Sequence, residues 1–484
     1  MESSEVQRRA GSTRRKFLTA TAATAAAAPL VTKAGFARAA VTADGAKSAA
    51  PSVTSFDPAL RALIGQIDPN RVQAIIEKLV SFGTRHTASS QTDPNRGIGA
   101  ATAWVLAQMQ GFAAVPGSNL SVQQQTFVQP VSNRIPVPTT ITNVIATLQG
   151  TASPERFYVI TGHLDSRVTD VLDFTSDAPG ADDDGSGVAV VMELARVFAT
   201  KQFPGTLIFA TVAGEEEGLY GSAHMAAQMA AAGNDVQGMF SNDIVGTGDA
   251  HDGTKPDPFT LRLFMEGVPT AATANQIALM QAVGGENDSL SRNLGRFVVD
   301  NAPFGLTTMN IRPIWRRDRY LRASDHVSFQ SQGYPAARFT EPRENFNHEH
   351  QNTQVVNGVQ LGDLIQYVDF NYIARVAGVN AATLWALATA PGTPKNTVVH
   401  TTPPATFSGT NLTTLQWSAN PEPNLAGYEV VTRETTSEGW ENVISVGNVT
   451  TVTLDISKDN LQFGVRAVDT AGNRSPAAYP VAVA

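Results

Sequence analysis

The 484-residue sequence predicts an α/β fold: a mixed, mostly parallel central sheet flanked by helices, followed by a small all-β sandwich. Three observations carry this. Apolar residues recur at helical spacing between 57 and 111, strand-like and helical runs then alternate from Leu120 to Val245, and beyond Pro403 short strands follow one another with no helical period. Composition agrees, since 42% hydrophobic and 16% charged residues describe a globular chain and exclude a disordered one. At roughly 100–200 residues per domain, the length calls for a large domain plus something else. There is no cysteine. That excludes thiol nucleophiles, thiolate metal sites and disulfides, and it leaves His, Asp and Glu to hold any metal.

Taken in order, residues 1–39 read as an address. Thr13-Arg14-Arg15-Lys16-Phe17-Leu18 places paired arginines ahead of a mildly apolar run, Thr19 to Val31, and Ala37-Arg38-Ala39 supplies a small-residue cleavage pattern. The segment resembles a twin-arginine export signal. Its apolar run falls short of the about 20 strongly apolar residues a bilayer span needs, which disfavours an anchor. Removal of its seven bases and two acids moves the net charge from −8 to −13. No other segment has transmembrane character, so the expected product is soluble, secreted or periplasmic, with no membrane span. Its acidity argues against nucleic-acid binding through a general basic surface.

Residues 57–390 form the large domain. Leu60, Leu63, Ile64 and Ile67, then Val72, Ile75, Ile76, Leu79 and Val80, then Ala101, Val105, Leu106 and Met109 mark helices. Strands are expected at Val122–Phe127, Thr142–Leu148, Phe157–Thr161, Thr206–Val212 and Met239–Val245, and helices at Gly187–Ala199 and Ser222–Ala232. A long helix from Leu361 to Val376 is expected to precede another run, Asn380 to Ala390. Pro391-Gly392-Thr393-Pro394 and Pro403-Pro404 mark a linker at 391–404. In the last region, 405–484, strands fall at Thr414–Trp417, Gly427–Arg433, Val443–Val446, Val452–Ile456 and Gln462–Asp469. With Trp417, Tyr428 and Ala471-Gly472-Asn473, they resemble a fibronectin type III module. Adhesion to a surface, polymer or partner is its expected work, with a passive cap as the alternative.

Four segments concentrate carboxylates and histidine at strand ends. Gly162-His163-Leu164-Asp165-Ser166 emerges from an apolar strand, and the period of two puts His163 and Asp165 on one side. Asp182-Asp183-Asp184 leads into a helix: three adjacent carboxylates need a cation or an exposed turn, and a solvated N-cap is an equal reading. Glu215-Glu216-Glu217 follows a strand, where one glutamate can hold a metal while its neighbour moves a proton. Asp243 closes another strand-like run, and His348-Glu349-His350 adds a late histidine pair.

In order and context, Gly-His-Leu-Asp-Ser, Pro-Gly-Ala-Asp-Asp-Asp-Gly-Ser-Gly, Glu-Glu-x-Gly-Leu-x-Gly-Ser, Asn-Asp and Ser-Asp-His-x-x-Phe-x-x-x-Gly-Tyr-Pro-Ala resemble the secreted di-zinc aminopeptidase family of the MH clan. That group includes bacterial leucyl-type aminopeptidases and, more distantly, glutamate carboxypeptidases. The resemblance implies two zinc ions per chain. It makes His163 and Asp243 ligands of one, Asp183 the bridge, and Glu216 with a late histidine ligands of the other. Glu215 becomes the general base and Asp165 the orienter of His163. Alignment on Glu344-Asn345-Phe346 selects His350 as the last ligand, and alignment on Asn352-Thr353 selects His348; His350 is preferred. The implied function is hydrolysis of the N-terminal residue of peptides, with an apolar first residue favoured. A carboxypeptidase or dipeptidase of the same fold and an inactive binding protein are the rivals.

Other features are read as structural. Thr84-Arg85-His86 is expected to brace the fold, and His224, His251 and His400 to lie on the surface. Arg312, Arg316, Arg317, Arg319 and Arg322 are expected to pair with the acidic loop in preference to a substrate carboxylate. A role for Tyr320, displaced from the family's tyrosine, is left open.

Overall fold

The computed structural model describes residues 57–249, 255–401 and 412–483. The segment expected to be an export signal, His251 and the junction at 402–411 lie outside the described residues.

Three helices open the domain: α1 (Pro58–Ile64), α2 (Pro69–Val80) and α3 (Ile98–Ala113). Asp57 and Asp68 cap the first two through their side chains, each with proline in the first turn, a pairing that satisfies free N–H groups and presets φ. Then come β1 (Leu120–Gln129), β2 (Thr139–Leu148), β3 (Ser153–His163), α4 (Gly185–Phe198), β4 (Gly205–Val212), α5 (Tyr220–Ala231) and β5 (Asp235–Asn242). The chain continues through β6 (Thr260–Met265), α6 (Ala274–Val283), α7 (Leu290–Asn301), α8 (Phe304–Thr307), β7 (Asn310–Ile314), α9 (His326–Gln330) and β8 (Ala336–Thr340). A hairpin, β9 (Gln354–Val356) and β10 (Val359–Leu361), precedes α10 (Phe370–Thr389).

Eight strands make one sheet in the order β1-β2-β4-β3-β5-β8-β6-β7. Its centre, β4-β3-β5-β8, is parallel, and antiparallel pairings of β1, β2 and β6 flank it. All eight residues of β4 are buried, as a strand covered on both faces requires. One core layer joins α2, α4 and α10 to the sheet through Ile76, Val191, Phe209 and Leu384; the other face packs α5 on Val159 and Ile208. Among the described residues no helix is long and apolar enough to cross a membrane.

The helix expected from Leu361 is corrected. Leu361 ends β10, Gly362 turns at φ 113, and the helix begins only where the Asp369 carboxylate accepts the N–H groups of Asn371 and Tyr372. From there it runs unbroken past Asn380, whose side chain bonds Asn242 at 2.7 Å.

The C-terminal strands form two facing sheets. One has the order β15 (Thr451–Leu454), β12 (Thr413–Gln416), β11 (Val398–His400), β17 (Val481–Val483); the other has β14 (Asn442–Gly447), β13 (Leu425–Glu434), β16 (Leu461–Asp469). Their core is Leu415, Trp417, Tyr428, Val430, Phe463 and Val465. Strand β11 falls inside the stretch expected to be a linker. The sandwich is fastened to the large domain: Asp288, ahead of α7, receives Arg296 at 3.0 Å and Arg433 of β13 at 2.5 Å, and Arg156 meets Glu422 at 2.8 Å.

Candidate metal centre

The parallel strands β3, β4, β5 and β8 end at one edge of the sheet, where an open α/β sheet gathers its ligands. His163 ends β3, Glu215 and Glu216 follow β4, Asp243 follows β5, and His350 sits in the loop after β8. Asp183 arrives from the turn before α4. That turn lies close to the sheet because two glycines allow it: a Cβ on Gly162 would stand 2.4 Å from the backbone of Gly187, and one on Gly187 would stand 2.1 Å from the Asn242 carbonyl.

His163 is nearly fully buried. Its backbone N–H donates to Asp184 Oδ2 at 2.8 Å, and its Nδ1–H donates to the backbone carbonyl of Asp165 at 3.1 Å. Asp165, the expected orienter of His163, thus meets the ring through its backbone; its carboxylate is 3.8 Å from Nδ1, and its Oδ2 accepts the N–H of Glu216 at 3.0 Å. Either way Nδ1 keeps its proton, so Nε2 is the atom that would offer a lone pair to a metal on losing its own proton. That nitrogen faces Asp183 Oδ1 at 3.0 Å and Asp243 Oδ1 at 3.9 Å. Acceptors so placed need a positive charge between them. Burial pushes the imidazole pKa down, yet Asp184, Asp183 and Glu215 hold it well above its ordinary value.

The second oxygen of Asp183 faces the other way, 2.8 Å from His350 Nε2, which is also 3.0 Å from Glu216 Oε1. Burial resists ionisation of both carboxyls. Even so, His350 and His163 hold Asp183 well below its usual range, and His350 helps bring Glu216 to about 2. Burial likewise opposes charge on His350, and Glu216 and Asp183 raise it to about 10. His348 lies elsewhere, stacked on Tyr367 with ring centroids 3.5 Å apart.

These residues fit a metal on their own chemistry. His163 Nε2 and Glu216 Oε1 are buried without a hydrogen-bond partner, and all donors are nitrogen or oxygen, a set zinc accepts. Among the described residues, ligand atoms within 4.8 Å of one another form two sets, His163-Asp183-Asp243 and Asp183-Glu349-His350. Asp183 belongs to both. Glu349 was not singled out by the sequence; one of its oxygens is taken by Arg322, whereas Glu216 touches His350 directly. Glu215 lines an open pocket of about 370 Å³ with Asp183, Glu216, Asp243 and His350.

Several positioning residues carry no local sequence signal. Asp363 accepts the N–H groups of Asp182 and Asp183 at 2.8 Å each. Fully buried Arg338 donates to Asp243 Oδ1 at 2.9 Å and to Asp318 at 3.0 Å. Arg167 donates to Glu216 Oε2 at 2.9 Å and stands 2.6 Å from His350 Nδ1. Arg85, expected to be structural, donates to the carbonyls of Leu164, Pro179 and Gly180 and so ties the His163 loop to the aspartate turn. His86 lies 3.1 Å from Glu217. Of the arginine cluster, Arg319 and Arg322 pair with Glu344 at 3.0 and 3.1 Å, and Arg312 with Asp257 at 3.3 Å. Tyr320 is 77% exposed. His224 stacks on Phe127, and His400 meets Gln416.

Residues 143–368 match the model of peptidase family M28. A probable zinc metalloprotease of Leptosphaeria maculans is 49% identical over 421 residues, covering 87% of this chain and 96% of that protein. One of Pyrenophora teres f. teres is 47% identical over 426 residues, covering 88% and 87%. Among solved structures, LapB from Legionella pneumophila superposes with a TM-score of 0.48 at 18% identity, over 69% of this chain and 76% of that one. The chain belongs to peptidase family M28, with the zinc metalloproteases.

Proposed function

We propose that the chain is a secreted di-zinc aminopeptidase that hydrolyses the N-terminal residue of peptides. The observation that carries this is Asp183, whose two oxygens face His163 and His350 at 3.0 and 2.8 Å, the arrangement a bridging carboxylate needs. In this reading His163 and Asp243 hold one zinc, and Glu216 and His350 the other. Once bound, the metal pair would polarise the scissile carbonyl and lower the pKa of a shared water.

The chain's own residues supply the remainder. The Glu215 carboxyl is raised well above its ordinary value by burial and, against the pull of His163, by Asp243, Glu216 and Asp325. It takes the proton of the attacking water and returns it to the leaving amine. Asp165 fixes the His163 ring through its carbonyl and the Glu216 backbone through its carboxylate, the outer support that metal ligands require. Leu219 and Leu321 in the pocket wall suit an apolar first residue. The N-terminal restriction rests on the family resemblance, in which the substrate's free amine is anchored beside the metals. Export by the twin-arginine route and surface or polymer binding by a fibronectin-like sandwich belong to the same proposal.

The test is hydrolysis of leucine anilide against its N-acetylated twin, with Glu215→Gln beside the wild type. Cleavage of the free-amine substrate alone, and a loss of about 10²–10⁴-fold in the variant with metal retained, are expected. Equal cleavage of both substrates would favour a carboxypeptidase or dipeptidase, and an unimpaired variant would exclude this role for Glu215.

A further inference from the structure

Four arginines line the pocket: Arg134, Arg167, Arg319 and Arg322. Three are committed to acids of the protein. Arg167 is held by Glu216 at 2.9 Å, Arg319 by Glu344 at 3.0 Å and Asp318 at 3.1 Å, and Arg322 by Glu344 at 3.1 Å and by Glu349. Their charge is therefore answered within the fold.

Arg134 differs. It lies in the connection between β1 and β2, where one Nη1–H donates to the backbone carbonyl of Glu216 at 2.8 Å; among the described residues no carboxylate pairs with it. A guanidinium carries five N–H donors in a planar fork that matches a carboxylate; Arg134 is exposed and lines the pocket, and one of its donors is engaged by the Glu216 carbonyl. Nor is its connection loose. Ile135 beside it is fully buried, and Ser132 accepts both the Ile135 N–H, at 3.2 Å, and the Tyr220 hydroxyl, at 2.8 Å. Arg134 is thus a cation in the pocket lining with no carboxylate partner among the described residues, next to a residue of the metal centre.

We propose that Arg134 is a specificity residue that binds a carboxylate of the peptide substrate, supplied by an acidic side chain beside the scissile bond or by the C-terminus of a short peptide. This rests on the peptidase reading above and adds the class of substrate: acidic or very short peptides.

The experiment uses the full-length, metal-replete enzyme with its Arg134→Gln and Arg134→Lys variants. Two substrate pairs are compared: Leu-Ala with Leu-Ala-amide, and Leu-Glu-Ala-amide with Leu-Gln-Ala-amide. The wild type is expected to prefer the carboxylate-bearing member of one pair. Arg134→Gln should cut that ratio of kcat/KM by about tenfold or more, through KM, the size of a lost charge-assisted bond. Arg134→Lys should keep part of the preference as a point charge without the fork. Loss in the first pair identifies the C-terminal carboxylate, and loss in the second the acidic side chain. Absence of preference in both pairs, or an equal loss on both members of each, overturns the proposal; a purely structural role would give the equal loss. Wild-type turnover of leucine anilide separates the two readings, because its absence refutes the aminopeptidase reading, whereas turnover without acid preference refutes Arg134 alone.

Discussion

Replacing Asp288 with alanine should show that the C-terminal sandwich and the large domain are one folding unit. The Asp288 side chain is fully buried, and its carboxylate is shared by Arg296, with a side chain 5% exposed, and Arg433, 1% exposed. Asp288→Ala leaves two buried guanidinium groups without their anion, and breaking a buried pair by removing one partner costs about 3–5 kcal/mol. Arg433→Met, which removes one of the cations with the charge it answers, should cost less when added to Asp288→Ala than alone, because contacting residues are not additive. Urea unfolding followed by tryptophan fluorescence is the assay. Trp315 and Trp440 report on this junction, as the Arg296 guanidinium lies 5.2 and 5.5 Å from their ring centroids. One cooperative transition with a lowered midpoint is expected. A loss below about 1 kcal/mol, or a sandwich that unfolds separately at an unchanged midpoint, would refute the coupling.

Other consequences are equally direct. Gly162→Ala drives a Cβ to 2.4 Å from the Gly187 backbone, which no rotamer relieves; overpacking costs about 1–3 kcal/mol, and metal affinity should fall with it as the Asp183 turn is displaced. His350→Ala should lower bound metal on chelator titration, whereas His348→Ala, which loses a stack on Tyr367, should leave the metal content unchanged; the reverse result would move the ligand to His348. Glu344, despite its burial, is lowered from 4.5 to about 2 by Arg319, Arg338, Arg262 and Arg322. A depressed carboxylate pKa adds stability above the unfolded value and loses it as pH falls toward the folded one. Glu344→Gln should therefore be destabilising at pH 7, with a gap to wild type that narrows between 4.5 and about 2 in urea unfolding.

The large-domain strands and the ligand segments were legible because local signals mark both: apolar runs ending in glycine, histidine and carboxylate sit where β3, β4 and β5 stop. The supports were not. Asp363 reaches the Asp182 and Asp183 amides from 181 and 180 positions away, and Arg338 reaches Asp243 across 95; lone charged residues at such distances have no sequence period. The same holds for Arg433, 145 positions from Asp288, so the sandwich could be read as strands while its attachment could not. At Leu361 the apolar spacing suited a helix, but the left-handed Gly362 and the Asp369 cap decided its start.

The central claim, that Asp183 joins two metal sites, is tested most directly by elemental analysis of the purified full-length chain and of Asp183→Ala. Two zinc ions per chain in the wild type and loss of both in the variant are predicted. One ion or none in wild type kept from chelators, or two ions retained without Asp183, would contradict the claim.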